Sequence, residues 1–529
     1  MRIRTKRMPT APSAKSDPPL PGPGTPKPKL RWYHCALLII LLGAGTLIRM
    51  DGITKTGLWG DEFQSLYLAT GRGDAILNIP RNVVVNSPPP VGFVGAPGPA
   101  RIWTGLDSTV HPPLYFIILR LWVDAFGDAD FSIRCMSSLF CMLGVILLFI
   151  IIRSISGTWA GLLGATMMTF SPVQLDFSQQ ARPYTFAAFL CLIVLALVVR
   201  IEQKGPSPVR SILLFLATLA AAMTHYFALG PIAGCCVYAA CRLEGKSRRR
   251  VFAAMSLGLL VFALAWGPIF WSTRGIIGPW TKTEFKSAFH LHPLAYYVLN
   301  LPQRLTFGSA TDIGWPTMIV LAILVYLLPP LRRSNAMIWY FWTLGAIAAP
   351  LAVDLHTSAS SMLVGMDKYV ILAAPGIYGI VAAAMCGRLV ATAVTFGVLI
   401  FGLARFQAGP DFAWASVWGV EDHRAQARFL AAHAGQDDLL ILPACVLFNG
   451  DINDASYNYF IIAHYAGPWK TPLLLLTAPI AGNVQSQLAR YRHIWVAGSS
   501  QEACQRMLPG HPLIDVHASA FRDSVWVIK

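Results

Sequence analysis

The sequence predicts a polytopic α-helical membrane protein of about eleven spans, with interfacial helices in its first outer loop and a C-terminal soluble α/β domain. Three observations predict it. Across 529 residues the mean hydropathy is +0.53 and only 13% of residues are charged, about half the ~25% of an average soluble domain. A soluble core could not hide so much apolar surface behind so few charges. Apolar runs of near-span length recur from Trp32 to about residue 403, then stop. Beyond that point the composition changes, and 10 of the 26 acidic residues fall in 404–529. A disordered chain, a disulfide scaffold and a nucleic-acid-binding protein are excluded, although the net charge is +16.

Taken in order, residues 1–31 carry eight basic residues, one acid (Asp17) and eight prolines. Such a segment cannot pack a core and is expected to be a disordered basic cytoplasmic tail. The apolar run from Trp32 to Ile48 follows with no small-residue cleavage site behind it, so it is expected to stay as a membrane anchor. Further apolar segments lie at about 131–152, 158–172, 184–200, 211–225, 226–241, 251–271, 315–330, 336–353, 369–386 and 389–403. Several are slightly shorter than the ~20 residues that span hydrocarbon, but interfacial residues bring them within range. Residues 32–403 are therefore expected to form a transmembrane domain, with an outer loop at 49–130.

Residues 113–126 are also apolar, but short, and they carry Arg120 and Asp124 one helical turn apart. The basic loops decide their place. With eleven spans and a cytoplasmic N-terminus, Arg153, Arg200, Lys204, Arg210, the run Arg242-Leu-Glu-Gly-Lys-Ser-Arg-Arg-Arg250, Arg332, Arg333 and Arg388 all fall on the cytoplasmic side. A twelfth span would put them all outside, against the positive-inside rule. Residues 113–126 are thus expected to lie along the outer face as an interfacial helix. The outer face then holds the loops 49–130, 272–314 and 354–368 and the tail 404–529. The tail alternates a helix-like stretch (Glu421 to Ala434) with strand-like runs (Leu439 to Leu442, His493 to Val496, Ser524 to Ile528), enough for one small α/β domain. Its two cysteines, Cys445 and Cys504, pair only if the compartment is oxidising and they meet.

The informative polar groups gather on that outer face. Asp61 and Glu62 sit in Gly57-Leu-Trp-Gly-Asp-Glu-Phe-Gln-Ser65. Adjacent acids there usually stay solvated or cap a helix, and Asp61 suits the first turn of a helix 61–70. Alternatively a carboxylate acts as general base on a hydroxyl. Trp59, Phe63 and Tyr67 are spaced to press one helix face into the interface. His111-Pro-Pro-Leu-Tyr115 opens the interfacial helix, where prolines are tolerated; His111 binds an anion there, or nothing. Arg134 lies just inside span two and either snorkels or pairs with a phosphate, which its bidentate guanidinium suits. Arg182 and Tyr184 stand in the outer turn Ser178-Gln-Gln-Ala-Arg-Pro-Tyr184. His225 and Tyr226 stand in the outer turn Thr224-His-Tyr-Phe227, where a lone histidine is ordinarily hydrogen-bonded rather than metal-bound. Lys368 and Tyr369, in Asp367-Lys-Tyr369, enter span ten from outside. Carboxylates and cations at one depth could hold a lipid-linked phosphate while a base acts nearby. Nothing resembles a Gly-rich nucleotide loop.

Leu58-Trp-Gly-Asp-Glu-Phe63, His111-Pro-Pro-Leu-Tyr115, Ile133-Arg-Cys-Met-Ser-Ser138, Ser178 to Tyr184, Thr224-His-Tyr-Phe227 and Asp367-Lys-Tyr369 occur in that order. In these pieces and their topological side the sequence resembles the GT-C superfamily of membrane glycosyltransferases, in particular the bacterial group related to protein O-mannosyltransferases and the aminoarabinose transferase of lipid A. The resemblance covers the membrane part almost throughout and the tail more loosely. It implies an inverting transfer from a polyprenyl-phosphate (undecaprenyl-phosphate) sugar donor on the periplasmic face of the inner membrane. The acceptor is a glycan, lipid or protein hydroxyl, chosen at 272–314 and the tail. It further implies Asp61 as general base, with Glu62 orienting acceptor or base. Arg134 would pair with the lipid phosphate, and Arg182 and Lys368 would stabilise the leaving phosphate or neighbouring acids. His111, Tyr184, His225, Tyr226 and Tyr369 would line the site. No cofactor is certain; a divalent cation would sit at His225, as in some relatives. Two positions depart from the pattern: Gln180 replaces an acid, and Lys368 replaces the commoner arginine. A transporter of a lipid-linked saccharide is the alternative, but it would place polar groups near mid-membrane and often show repeated halves, and neither is visible. A non-catalytic scaffold would leave Asp61 and Arg134 dispensable.

Overall fold

The structure, a computed structural model, describes residues 30–106, 111–284, 301, 304–305, 336–357, 367–385, 423–444, 454–498, 500–517 and 524–528. Residues 1–29, most of the loop 272–314 beyond 284, the apolar segments 315–330 and 389–403, and Cys445 with its pairing to Cys504 lie outside the described residues.

The other nine expected apolar segments are helical. Five helices among the described residues are long and apolar enough to cross a membrane: Trp32–Met50, Asp130–Ser156, Tyr184–Lys204, Gly245–Thr273 and Met337–His356. Pro208–Ala222, Tyr226–Arg242 and Lys368–Ala384 are shorter apolar helical stretches. Their outer surfaces are hydrophobic: Ile39, Ile40 and Leu47 on the first helix and Leu264 and Trp271 on the Gly245 helix are exposed, as a lipid-facing helix requires.

We number the main helices α1 (Trp32–Met50), α2 (Gly60–Ala69), α3 (Leu114–Phe126), α4 (Asp130–Ser156), α5 (Thr158–Phe170), α6 (Pro172–Ser178), α7 (Tyr184–Lys204), α8 (Pro208–Ala222), α9 (Leu229–Arg242), α10 (Gly245–Glu284), α11 (Met337–Thr357), α12 (Asp367–Val370) and α13 (Ala374–Met385). Turn chemistry sets the path. Gly127 stops α3 with φ 80°, a left-handed position that glycine adopts without strain, and α4 starts three residues later. Arg120 of α3 pairs with Asp124 at 2.8 Å and donates to the carbonyl of Thr70 at 3.1 Å, so α3 is tied to the end of α2. Ser171 and Pro172 break the apolar run expected at 158–172 into α5 and the short α6. The carbonyls freed at the end of α5 accept hydrogen bonds from Arg49 of α1, Thr169 at 3.0 Å and Met168 at 3.3 Å. A buried arginine thus satisfies backbone groups that lipid would leave unpaired.

Helices α9 and α11 pack backbone to backbone. A Cβ at Gly230 would collide with the carbonyl oxygen of Gly345, and one at Gly234 with that of Phe341. Gly230 and Gly234 are spaced Gly-x-x-x-Gly, the pattern that lets helices approach closely where no hydrophobic force separates lipid from protein contact.

Outside the helical part, a six-stranded mixed sheet has the order β1-β3-β2-β4-β6-β5. Its strands are β1 (Val84–Val85), β2 (Leu439–Pro443), β3 (Leu473–Leu476), β4 (Ile494–Gly498), β5 (Leu513–His517) and β6 (Ser524–Ile528). Strands β3, β2 and β4 are parallel and fully buried runs, which a parallel sheet covered on both faces requires. Helices α14 (His423–His433) and α15 (Asp454–Ala466) pack beside it. The tail does not build this sheet alone. The edge strand β1 comes from the segment between α2 and α3 and pairs antiparallel with β3, Val84 opposite Leu474. It covers an edge that the tail leaves open. The loop is fastened there by Asn82, whose amide bridges the Thr477 hydroxyl and backbone N–H at 2.9 Å each.

Candidate active site

Helix α2 carries the centre, and its aromatic face turns away from the membrane interface expected for it. Phe63 packs edge-on against Phe460, His464 and Tyr465 of α15, and Tyr67 against Tyr457 and Phe460. The C-terminal helix supplies an apolar aromatic surface, so the face is buried in protein. The Tyr465 hydroxyl accepts a bond from the Leu58 N–H at 2.8 Å, which fixes the chain three residues before Asp61.

Asp61 and Glu62 are neighbours with opposite surroundings. Glu62 is fully buried. It receives Arg134 through both oxygens, Nε to Oε1 at 2.9 Å and Nη2 to Oε2 at 2.6 Å. It also accepts the backbone N–H of Ala181 at 2.8 Å and of Trp59 at 3.2 Å. Arg134 completes its set on the carbonyls of Ile53 and Thr56 (Nη1) and Gly57 (Nη2). A guanidinium has five N–H donors, and all five are taken. This corrects the expectation that Arg134 pairs with a lipid phosphate: no donor remains. It also removes Glu62 from the acceptor, since four donors already fill its lone pairs. The pair instead welds the 53–59 loop, α2, α4 and the turn at 181 into one rigid frame.

Asp61, two-tenths exposed at its side chain, meets Lys368 of α12 at 2.9 Å and Arg182 at 3.4 Å. Burial alone would raise its pKa, but Lys368 and then Arg182 outweigh it and hold the carboxyl at about 2. Asp61 is therefore ionised at neutral pH. Arg182 is further held by the Asp61 carbonyl at 2.7 Å and the Ser65 hydroxyl at 2.9 Å, and its guanidinium lies over the Tyr184 ring at 5.8 Å. In contrast to Arg134, its Nε–H is buried with no acceptor among the described residues. Gln180, which replaces the expected acid, binds Asp176 at 2.8 Å instead of Arg182, so Arg182 is left to turn toward Asp61. Lys368 also lies 5.6 Å from the centre of the Trp59 ring and 5.3 Å from that of Tyr369.

An aromatic wall runs beside these charges. His225 is 6.4 Å from His111, 5.6 Å from Tyr184 and 5.2 Å from Phe227, and Phe227 is 5.5 Å from Tyr369, all ring centre to ring centre. Burial first, then the Arg182 charge, lowers His111 to about 3; burial, then His111 and Arg182, does the same to His225. Both rings are neutral at physiological pH and cannot hold an anion by charge. Nδ1 of His225 accepts the Phe227 N–H at 3.2 Å, which leaves Nε2 to carry the proton. Among the described residues no group of three histidine, cysteine or acidic side chains could hold a metal ion, at His225 or elsewhere.

Tyr226 does not belong to the wall. Its hydroxyl accepts from the Trp266 indole at 2.7 Å and its ring meets Phe262 and Phe270, all on α10. It lies in a tight 3₁₀ turn over Tyr226–Ala228, where successive side chains diverge by a third of a turn, so Phe227 faces the wall in its place. Sequence reasoning also missed Ser65, which holds Arg182. Its only trace was its position four residues after Asp61, on the same helix face.

Residues 110–271 match the family described as dolichyl-phosphate-mannose-protein mannosyltransferase. That range holds His111, Arg134, Arg182 and His225, but not Asp61 or Lys368. No curated protein matches the chain by sequence. Among solved structures it is similar to ArnT from Cupriavidus metallidurans bound to undecaprenyl phosphate, with TM-score 0.56 and 12% identity over 93% of this chain and 98% of that one. The same protein in the apo state gives TM-score 0.55 and 13% identity over 94% and 98%. The chain has the GT-C fold. The Archaeoglobus fulgidus oligosaccharyltransferase tethered with an acceptor peptide matches more loosely, with TM-score 0.47 and 11% identity over 90% of this chain and 70% of that one. The chain thus follows the ArnT structures over nearly its whole length.

Proposed function

We propose that the chain is an inverting glycosyltransferase that moves a sugar from a polyprenyl-phosphate donor to an acceptor hydroxyl on the extracytoplasmic face of a plasma membrane. The observation that carries the reading is Asp61 held between Lys368 and Arg182 within a GT-C fold. The neighbour bound to undecaprenyl phosphate supports the donor class. The positive-inside distribution of the loops supports a cytoplasmic N-terminus and an external site.

Asp61 takes the proton of the acceptor hydroxyl. The oxygen attacks the anomeric carbon from the face opposite the phosphate. The bond from that carbon to the phosphate oxygen breaks, and the lipid phosphate leaves with the electron pair. Attack opposite the leaving group inverts the centre. Lys368 and the unfilled Nε–H of Arg182 meet the developing charge, worth several kcal/mol in a site that water enters poorly. The two cations that hold the phosphate are those that depress Asp61. An arriving phosphate competes for them, so Asp61 rises in pKa and becomes a better base as the donor seats. His111, Tyr184, His225, Phe227 and Tyr369 shape the sugar pocket, and the Glu62–Arg134 frame positions α2.

Purified protein incubated with a panel of polyprenyl-phosphate sugars and followed by mass spectrometry tests this. Donor consumption is expected in the wild type and not in Asp61→Asn. Near-normal turnover in that variant would remove Asp61 from the role.

A further inference from the structure

Outside the centre, the outer unit holds a cleft of about 570 Å³, within the ~300–1,000 Å³ of small-ligand sites. It opens at the amino ends of the three parallel strands. Gln436 and Asp437 precede β2, Trp469 and Lys470 precede β3, and Arg490 and Tyr491 precede β4. Nucleotides in open α/β sheets sit at the other, carboxyl ends, so this is not the cofactor crevice of such a fold. Both parts of the chain build it. Asn86, which follows β1 in the segment between α2 and α3, receives the Tyr491 hydroxyl at 3.4 Å.

The chemistry of the lining fits a sugar. A pyranose ring has C–H faces and a rim of hydroxyls. Trp469 and Tyr491, both half-buried, offer flat aromatic faces for the first. The amide of Gln436, the carboxylate of Asp437 and the guanidinium of Arg490 offer paired donors and acceptors for the second. None of the side chains of Gln436, Asp437, Lys470 or Arg490 bonds another described residue. The Trp469 indole N–H is buried with no acceptor among the described residues, and a buried donor without a partner is costly. Lys470 and Arg490 against Asp437 leave a positive excess. We propose that this cleft binds the saccharide part of the acceptor, a short oligosaccharide bearing an acidic group. The proposal rests on the glycosyltransferase reading for the word acceptor, but not for the binding itself. The cleft is well placed for that task. Trp469 follows by four residues Tyr465, whose hydroxyl holds the Leu58 N–H, and α15 packs on the helix that carries Asp61.

Full-length protein in nanodiscs, titrated with trigalacturonic acid and with maltotriose as the neutral control and followed by saturation-transfer NMR, tests the site. The acidic trisaccharide is expected to bind more tightly than maltotriose. Its affinity is expected to fall about tenfold in Trp469→Ala, the loss of one stacked ring, and also in Arg490→Glu, an exposed position that does not disturb folding. Asp61→Asn is expected to bind it as the wild type does. No binding of the acidic trisaccharide to the wild type, equal binding in both cleft variants, or a preference for maltotriose would overturn the proposal. Loss of the Asp61 role would leave these binding results unchanged, so the two readings fail separately.

Discussion

Two acid–arginine clusters lie one residue apart on α2, and the difference that matters most is how fully their hydrogen bonds are matched. Around Glu62 every donor and every lone pair is matched: five N–H groups of Arg134 meet two carboxylate oxygens and three carbonyls. Around Asp61 the matching is incomplete: Arg182 keeps a buried Nε–H without an acceptor among the described residues, and the carboxylate shares one oxygen between two cations. A saturated buried ion pair has nothing left to give a ligand and works as a joint. An unsaturated one can exchange partners, which is what chemistry needs. Closure of the hydrogen-bond set separates frame from site.

Breaking the open cluster is expected to have the largest effect. Asp61→Asn should lower turnover by about 10²–10⁴-fold, with a smaller loss of thermal stability, since the amide oxygen still accepts from Lys368 and Arg182 keeps the Asp61 carbonyl and the Ser65 hydroxyl. The closed cluster should respond the other way. Arg134→Ala leaves Glu62 buried without its counter-charge and should cost about 3–5 kcal/mol of stability, read as a lower thermal midpoint and a lower folded yield. Loss of turnover with full stability in that variant would return Arg134 to the site.

Removing one cation sharpens the comparison. Lys368→Met should raise the donor KM by roughly tenfold to a hundredfold. It should also raise the pKa of Asp61 from about 2 toward the ~3.9 of a free aspartate, because its largest counter-charge is gone. The sign is fixed: the active, ionised base exists above the pKa and is lost as pH falls through it. Wild-type kcat/KM should therefore be flat from about pH 4 through neutrality. The acid limb of kcat, which reports the donor complex, should sit at higher pH than that of kcat/KM. Tyr465→Phe should have the smallest effect, about 1 kcal/mol, by releasing the Leu58 N–H; hydrogen exchange at residues 57–60 would detect it.

The helical architecture was legible because its cause is local. A run of apolar residues near span length forms a helix in lipid whatever it packs against, and most of the nine segments at hand begin and end within a few residues of the sequence reading; the helix expected at 251–271 extends to Glu284, and the run 158–172 breaks at Ser171. The roles at the site were less legible. Arg134 and Arg182 look alike in sequence, each an arginine at an outer helix end. Gln180 only raised doubt about a salt bridge inside its turn; that Arg182 instead reaches Asp61 depends on a helix more than a hundred residues away. Tyr226 and Phe227 are adjacent, and only the handedness of one 3₁₀ turn decides which ring faces His225. The edge strand β1, two residues long, carried no pattern that sequence periodicity could detect.

By itself, then, the sequence determined what lipid and water impose on each segment in isolation: which runs become membrane helices, which loops carry the positive charge, and that acids, cations and aromatic residues gather on one side. Tertiary structure alone decided partnership. Hydrogen-bond donors and acceptors are finite in number and directional, so a charged group used up in one contact is unavailable for another. Which of two arginines keeps a free N–H depends on which carbonyls the fold brings within 3 Å, and no single segment holds that information.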